Sequence, residues 1–196
     1  MKTTVVNLKY EKGDINCGRP SKWGNPYIIG KDGDREEVLQ KYKKYLFNDP
    51  DLIIEARKEL KDKVLECYCK PLKCHCDLLA YLCDIKIYAV VGSRNFNSFD
   101  ILENELNKYK IKLVVSGGCK GADILAKKYC EKYKIPIIEI LPKWDKYGKR
   151  AGLIRNQKII DLCDTCIAFW DGKSKGTKHD IDLCKTNNKE LEIVYI

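Results

Sequence analysis

The sequence predicts an α/β protein: a five-stranded parallel sheet with helices on both faces in the C-terminal part, preceded by a small α/β domain. Three observations carry this reading. From Lys86 onward, short apolar β-branched runs alternate with segments of helical periodicity, the pattern of parallel strands joined by crossover helices. With 196 residues and 44% hydrophobic content the chain can bury a proper core, in one domain or two small ones. Before Lys86 the character differs, with a loop dense in Gly and Pro and a Cys-rich segment, so a short linker near Cys83-Asp84-Ile85 divides the chain into residues 1–84 and 85–196.

In the first part, residues 3–8 (Thr-Thr-Val-Val-Asn-Leu) read as a strand. The loop from Gly18 to Tyr27 follows, and it carries Arg19, Ser21, Lys22, Trp23 and Asn25, residue types that make a binding loop rather than a plain connector. Arg35 to about Lys63 is helical, with Val38, Leu39, Tyr42, Tyr45 and Leu46 on one face and a break at Asp49-Pro50. Val64 to Cys69 alternates like a strand, Pro71 ends it, and Cys76 to Cys83 returns to helical spacing.

In the second part the expected strands are Ile87–Val91, Leu113–Ser116, Ile135–Leu141, Cys166–Trp170 and Leu191–Tyr195. The helices between them are Phe99–Tyr109, Gly121–Tyr133, Gly152–Leu162 and Thr177–Thr186.

Composition narrows the function classes. No apolar run reaches membrane-spanning length and the N-terminus lacks the apolar core of a signal peptide, so a cytosolic protein with no membrane partner is expected. Eleven cysteines in such a chain point to reduced thiols rather than a disulfide framework. The net charge of +9 favours anionic partners, but the lysines are scattered and no DNA- or RNA-binding signature is present, so nucleic acid is not the favoured partner.

Two stretches carry chemistry. The first is Cys67-Tyr68-Cys69-Lys70-Pro71-Leu72-Lys73-Cys74-His75-Cys76. Its thiols and imidazole suit a tetrahedral zinc shell, with Cys67, Cys69, Cys74 and His75 as the ligand set, although the spacing is not that of a common zinc finger. A structural or ligand-lining role ranks first, metal second and a Cys nucleophile beside His75 third, and no cofactor is assigned.

The second is Val114-Val115-Ser116-Gly117-Gly118-Cys119-Lys120-Gly121-Ala122-Asp123, a strand, a glycine turn and a helix start. Glycines there let backbone approach a ligand, and free N–H groups at a helix start favour phosphate. The bland reading is that the glycines serve the turn alone.

In parallel α/β sheets ligands bind beyond the carboxyl ends of the strands. Four loops meet that condition here. They supply Gly92, Ser93 and Arg94; Ser116, Gly117, Gly118, Gly121 and Asp123; Trp144 and Tyr147 with Arg155 and Asn156; and Trp170, Ser174, Gly176 and Thr177. Small and hydroxyl residues contact phosphate, arginines neutralise it, and Trp144, Tyr147 and Trp170 are able to stack on a base or ribose. Asp123 has a second reading as a tie for the turn. Cys163 and Cys166 are expected to pack, Cys119 to be a small filler, and His179 to be solvated.

The motifs GSRNF, SGGCKGAD, WDKYGKRAGLIRN and FWDGKSKGT, over residues 86–196, resemble the SLOG superfamily of Rossmann-like domains, which includes the Lonely-guy (LOG) phosphoribohydrolases and the DNA-processing DprA/Smf proteins. The resemblance implies nucleotide-ligand binding by Gly92, Ser93, Arg94, Ser116, Gly117, Gly118, Arg155, Asn156, Ser174, Gly176 and Thr177, and a homodimer. The LOG enzymes cleave an N-glycosidic bond with an Arg and the Glu of a PGGxGTxxE motif. Arg155 and Asp180 stand at those places, but Gly-Lys-Ser-Lys precedes Gly176 where PGG is expected, and Asp replaces Glu. GRPSKWGNPY with CYCKPLKCHCDLLA, over residues 3–83, is similar to a phage and bacterial domain family without an established function.

The leading expectation is therefore a binder of a phosphorylated nucleoside or a nucleotide-derived signal such as an ADP-ribose compound. An N-glycoside hydrolase using Arg155 and Asp180 is the alternative, and a nucleic-acid-binding module is third.

Overall fold

The computed structural model describes residues 2–196. The chain forms two compact units, one ending at Ile85 and the other spanning Lys86–Ile196.

In the first unit the elements are β1 (Thr4–Asn7), β2 (Ile15–Asn16), α1 (Arg35–Phe47), α2 (Pro50–Glu59), β3 (Val64–Cys67) and α3 (His75–Asp84). The sheet is parallel in the order β1-β3-β2. Helix α1 starts at a reciprocal capping box, in which Asp34 accepts from the Glu37 N–H and Glu37 accepts from the Asp34 N–H. Helix α2 begins with Pro50 just inside the Asp49 cap, where a missing N–H costs nothing. Tyr42, Leu46, Ile53, Leu60, Leu65, Leu79 and Leu82 fill the core without solvent exposure.

In the second unit the order is β4 (Tyr88–Gly92), α4 (Phe99–Leu106), β5 (Val114–Ser116), α5 (Ala122–Tyr133), β6 (Ile137–Glu139), α6 (Trp144–Tyr147), α7 (Ala151–Leu162), β7 (Thr165–Trp170), α8 (Lys175–Thr186) and β8 (Glu190–Tyr195). The strands form one parallel sheet in the order β6-β5-β4-β7-β8.

Side-chain alternation along the strands divides the core. Tyr88, Val90, Val114, Ile167 and Phe169 pack with Leu102 and Leu106 of α4 and with Leu125, Ala126 and Tyr129 of α5. Helices α7 and α8 pack against each other, with α7 meeting β5 and α8 meeting β4 and β7. After β4 the chain steps outward to β5 and β6, then returns to place β7 on the other side of β4. The carboxyl ends of β4 and β7 therefore flank the topological switch point, where an open α/β sheet leaves a crevice.

Three details depart from the expected elements. The two-residue strand β2 has no apolar run of its own and exists because Ile15 and Asn16 pair with Leu65 and Glu66 of β3. Strand β3 stops at Cys67, so Cys69 sits on the following turn. Between β6 and α7, the short helix α6 and a 3-10 turn at Gly148–Arg150 replace an open loop.

Candidate functional site

A cleft of about 650 Å³ opens at the switch point. Its walls come from Gly92, Arg94 and Asn95 after β4, Cys119 and Asp123 around the start of α5, and Arg155, Asn156 and Ile159 on α7. Asp171, Lys173 and Ser174 after β7, with Gly176, Thr177 and Asp180 on α8, complete it. The size is that of ordinary small-molecule sites.

Arg155 is the hinge of the arrangement. Its Nη1 donates to the Gly117 carbonyl oxygen at 2.5 Å, its Nε donates to Asn156 Oδ1 at 2.8 Å, and both terminal nitrogens lie 3.5 Å from Cys119 Sγ. A Cβ on Gly117 would stand 1.8 Å from Nη1. A side chain at 117 would therefore force the guanidinium to shift from its place on the glycine turn. Gly121, at φ +83, has a related reason, since a Cβ there would meet the Ser93 carbonyl oxygen at 2.2 Å. Both glycines interlock protein with protein, whereas a Cβ at Gly176 would meet nothing within 4 Å and faces open space.

Two carboxyls lie beneath Arg155. Asp123 accepts from the Cys119 N–H at 2.9 Å, tying the glycine turn to α5, and burial pushes it up to about 6 against the opposing pull of that N–H and of Arg155. Asp180 is 6% exposed, and its Oδ1 is buried without a hydrogen-bond partner. Burial pushes Asp180 up to about 7, with Arg155 pulling down and the Asp123 charge pushing up. On the opposite wall Asp171 Oδ1 accepts from the N–H groups of Lys173 and Ser174, and Ser93 Oγ accepts from the Asp171 N–H, which shapes the loop into α8. Helix α8 starts at Ser174 with no side-chain cap, and the Thr177 hydroxyl donates to Ser174 Oγ at 3.1 Å.

The first unit has a separate cavity of about 270 Å³, lined by Arg19, Asn25, Arg35, Lys73, Cys67, Cys69, Cys74 and His75 among others. At its base the ligand atoms of Cys67, Cys74, His75 and Cys76 all lie within 4.8 Å of one another, in a fully buried Cys3His group. Hydrogen bonding with Cys69, Cys74 and Cys76 lowers the Cys67 thiol, while Cys74 and Cys76 are raised, chiefly by their sulfur neighbours. Burial works against a charged His75, but Cys67, Cys69 and the Cys17 carbonyl outweigh it and raise the imidazole to about 9.

Residues 87–147 match the YspA, cpYpsA-related SLOG family, and residues 3–85 match a domain of unknown function, DUF4326. The Gene 61 protein of Mycobacterium phage D29 is 33% identical over 101 residues, which cover 46% of this chain and 81% of that protein. The chain belongs with this phage protein in one family, and its SLOG match lies within residues 87–147. An uncharacterised protein of Acanthamoeba polyphaga mimivirus is 37% identical over 81 residues, spanning 33% of this chain and 61% of that relative. Among solved structures, DNA processing protein A (DprA) from Streptococcus pneumoniae aligns with a TM-score of 0.42 and 21% identity over 55% of this chain and 49% of its own.

The SLOG match ends in α6, so Arg155, Ser174, Gly176, Thr177 and Asp180 lie beyond it. Of the residues singled out in this unit, Gly92, Arg94, Asp123, Arg155, Asn156, Ser174, Gly176, Thr177 and Asp180 line the cleft. Ser93 and Gly117 support it from behind, and Ser116 is fully buried with no partner for its hydroxyl. Gly118 turns the chain at φ +66, and Gly121 packs on Ser93. The proposed stacking aromatics do not line the cleft: Trp144 is 55% exposed on α6 with Tyr147 at the other end of that helix, and Trp170 packs in a tilted contact with Tyr195 and donates to the Ser174 carbonyl oxygen. Sequence reading left out Asn95, Cys119, Asp171 and Lys173 as lining residues, although all four sit in the loops it identified. His179 is half-buried rather than solvated, with its Nδ1 3.5 Å from Asn156 Nδ2.

In the first unit, Arg19 and Asn25 reach the cavity wall with Cys69, Cys74 and His75. The other loop residues are structural. Trp23 is buried and its carbonyl accepts from the Tyr42 hydroxyl, Lys22 pairs with Glu55 and Glu59, and Ser21 Oγ is buried without a partner. The Cys3His group takes Cys76 as its fourth member instead of Cys69, because the first turn of α3 carries residues 74 to 76 together to the end of β3. No helix among the described residues is long and apolar enough to cross a membrane.

Proposed function

We propose that the C-terminal unit binds a phosphorylated nucleoside or a nucleotide-derived ligand, such as a nucleoside monophosphate or an ADP-ribose compound, in the cleft between β4 and β7. The observation that carries this is Asp180: a buried carboxyl with one oxygen lacking any partner, at the base of a cleft large enough for a nucleotide. A buried acceptor left unpaired is costly, and a ribose hydroxyl would supply the missing donor once the carboxyl turns toward the cleft that Asp180 lines. Arg94, Arg155 and Lys173 provide positive charge for a phosphate, and the uncapped N–H groups at the start of α8, beside the open space at Gly176, provide a second set of donors. The SLOG match supports nucleotide-related binding in general, and the ligand class is this reading's own addition.

Calorimetry with AMP, ADP-ribose and NAD tests the proposal. Saturable binding of at least one by the full chain, lost in Asp180→Ala and Arg155→Ala variants that remain folded, is the expected result. No binding of any nucleotide by folded wild-type protein rejects it.

The position of Asp180 near 7 favours one further reading, N-glycoside hydrolysis. A carboxyl poised near neutrality takes a proton from water as general base while water oxygen attacks C1′ of the ribose. The C1′–N bond breaks with its electron pair going to the base, the sugar gains the hydroxyl, and the departing base takes up a proton from solvent while Asp180 releases to solvent the one it took from water. Chromatography of nucleoside monophosphates after incubation would show free base, and turnover unchanged in Asp180→Asn would remove Asp180 from this role. A homodimer, implied by resemblance, belongs to the proposal and is read by light scattering of the eluted protein.

A further inference from the structure

We infer that the first unit is a zinc-binding domain whose metal is held by Cys67, Cys74, His75 and Cys76, with the Cys17 carbonyl oxygen as the outer partner that orients the histidine. The ligand atoms are already gathered. Cys74 Sγ is 3.2 Å from Cys67 Sγ and 3.6 Å from His75 Nδ1, and Cys76 lies with them in a group whose ligand atoms all fall within 4.8 Å of one another. Sulfurs at about 2.3 Å from a tetrahedral zinc stand roughly 3.7 Å apart, so a metal enters with small side-chain adjustments.

The histidine supplies the more specific argument. His75 Nε2 lies 2.8 Å from the Cys17 carbonyl oxygen, an atom that only accepts, so Nε2 carries the proton. Nδ1, 3.6 Å from Cys74 Sγ, is then the ring nitrogen open to a metal, which would displace any proton it carries. Ligating histidines are held in this way, with the distal N–H on a carbonyl or carboxylate. Tyr42 fixes the ring from the side in an edge-on contact at 5.3 Å.

The electrostatic setting suits thiolates. Cys74 is the N-cap of α3 and its sulfur accepts from the Cys76 N–H, so the positive end of the helix faces the cluster. Four ligands from the protein close the shell, which makes the site structural. It would join β3 to α3 and, through Cys17, to the chain leaving β2. That staple suits a unit whose sheet has only three short strands, one of them two residues long.

Cys69 stands apart in this scheme. Its sulfur is 3.4 Å from Cys67 Sγ, but it is only half-buried on the cavity wall. We assign it to the entry path, through which a metal or chelator reaches the buried sulfurs, and not to the closed shell.

The test is metal analysis of the full chain purified without chelator and kept reduced. About one zinc per chain is expected. Replacing zinc by cobalt should give the intense absorption bands of a tetrahedral thiolate site, a readout that needs no variant. Cys69→Ser should keep its zinc, whereas Cys76→Ser should lower zinc affinity by about tenfold or more. Zinc-free but folded wild-type protein overturns the inference, as does a disulfide among Cys67, Cys74 and Cys76 in reduced preparations by intact mass. Zinc lost in Cys69→Ser and kept in Cys76→Ser overturns the ligand assignment.

Discussion

Replacing Asp180 by asparagine removes a buried ionisable group while keeping the side chain's shape. In the folded chain this carboxyl sits at about 7 instead of the usual 3.8, mainly through burial. The folded state therefore holds the proton more tightly than the unfolded chain, so stability is fully present below the unfolded value and declines as pH rises from 3.8 toward 7. Above that window the ionised carboxyl costs up to about 4 kcal/mol, from ~1.4 kcal/mol for each pH step between the two values. Asparagine carries no such cost. Asp180→Asn should be more stable than wild type at about pH 8 by a few kcal/mol relative to the same comparison at about pH 5. Urea unfolding of the ligand-free full chain at both pH values checks this, because Trp144 and Trp170 report the second unit and Trp23 the first. A stability difference independent of pH would refute the assignment of a buried, protonated Asp180.

The remaining predictions concern the packing of the cleft and its margins. Gly117→Ala should expel the Arg155 guanidinium, because the new Cβ would stand 1.8 Å from Nη1; loss of about 2 kcal/mol in denaturant unfolding is expected, and wild-type stability would contradict the packing. Arg155→Lys loses the planar fork that spans Gly117, Asn156 and Cys119, and should weaken AMP binding by about tenfold or more in calorimetry. Trp144→Ala, outside the cleft and 55% exposed, should change AMP affinity by no more than roughly twofold; a larger loss would return Trp144 to the site. Ser98→Ala removes the oxygen that accepts from the Ile101 N–H at the start of α4 and should cost about 1 kcal/mol, read by thermal unfolding of the second unit.

The alternation of apolar strands and amphipathic helices from Lys86 onward is local information. Each buried strand needs its own β-branched run and each helix its own stripe, so both patterns stand in the residues themselves. That is why strands such as Thr165–Trp170 and helices such as Ala122–Tyr133 were legible to within a residue or two of their ends. The rule that ligands sit at strand carboxyl ends then drew Arg94, Arg155, Ser174 and Thr177 toward one place without coordinates.

What tertiary structure alone decided lies in contacts between residues distant in sequence. Strand β2 exists through its pairing with β3, some fifty positions away, and leaves no pattern of its own. Nothing near Gly117 discloses that its missing side chain makes room for Arg155, and nothing near Asp180 discloses an oxygen without a partner; both facts arise where α7 and α8 close over the sheet. The aromatic residues of α6 were plausible stacking groups by type, yet the turn of that helix leaves Trp144 in solvent. In the first unit the sequence determined that thiols and an imidazole would be near neighbours. The start of α3 decided that Cys76 completes the buried group and Cys69 does not, because a helical turn brings three consecutive residues to the end of one strand while the preceding turn carries Cys69 to the cavity wall.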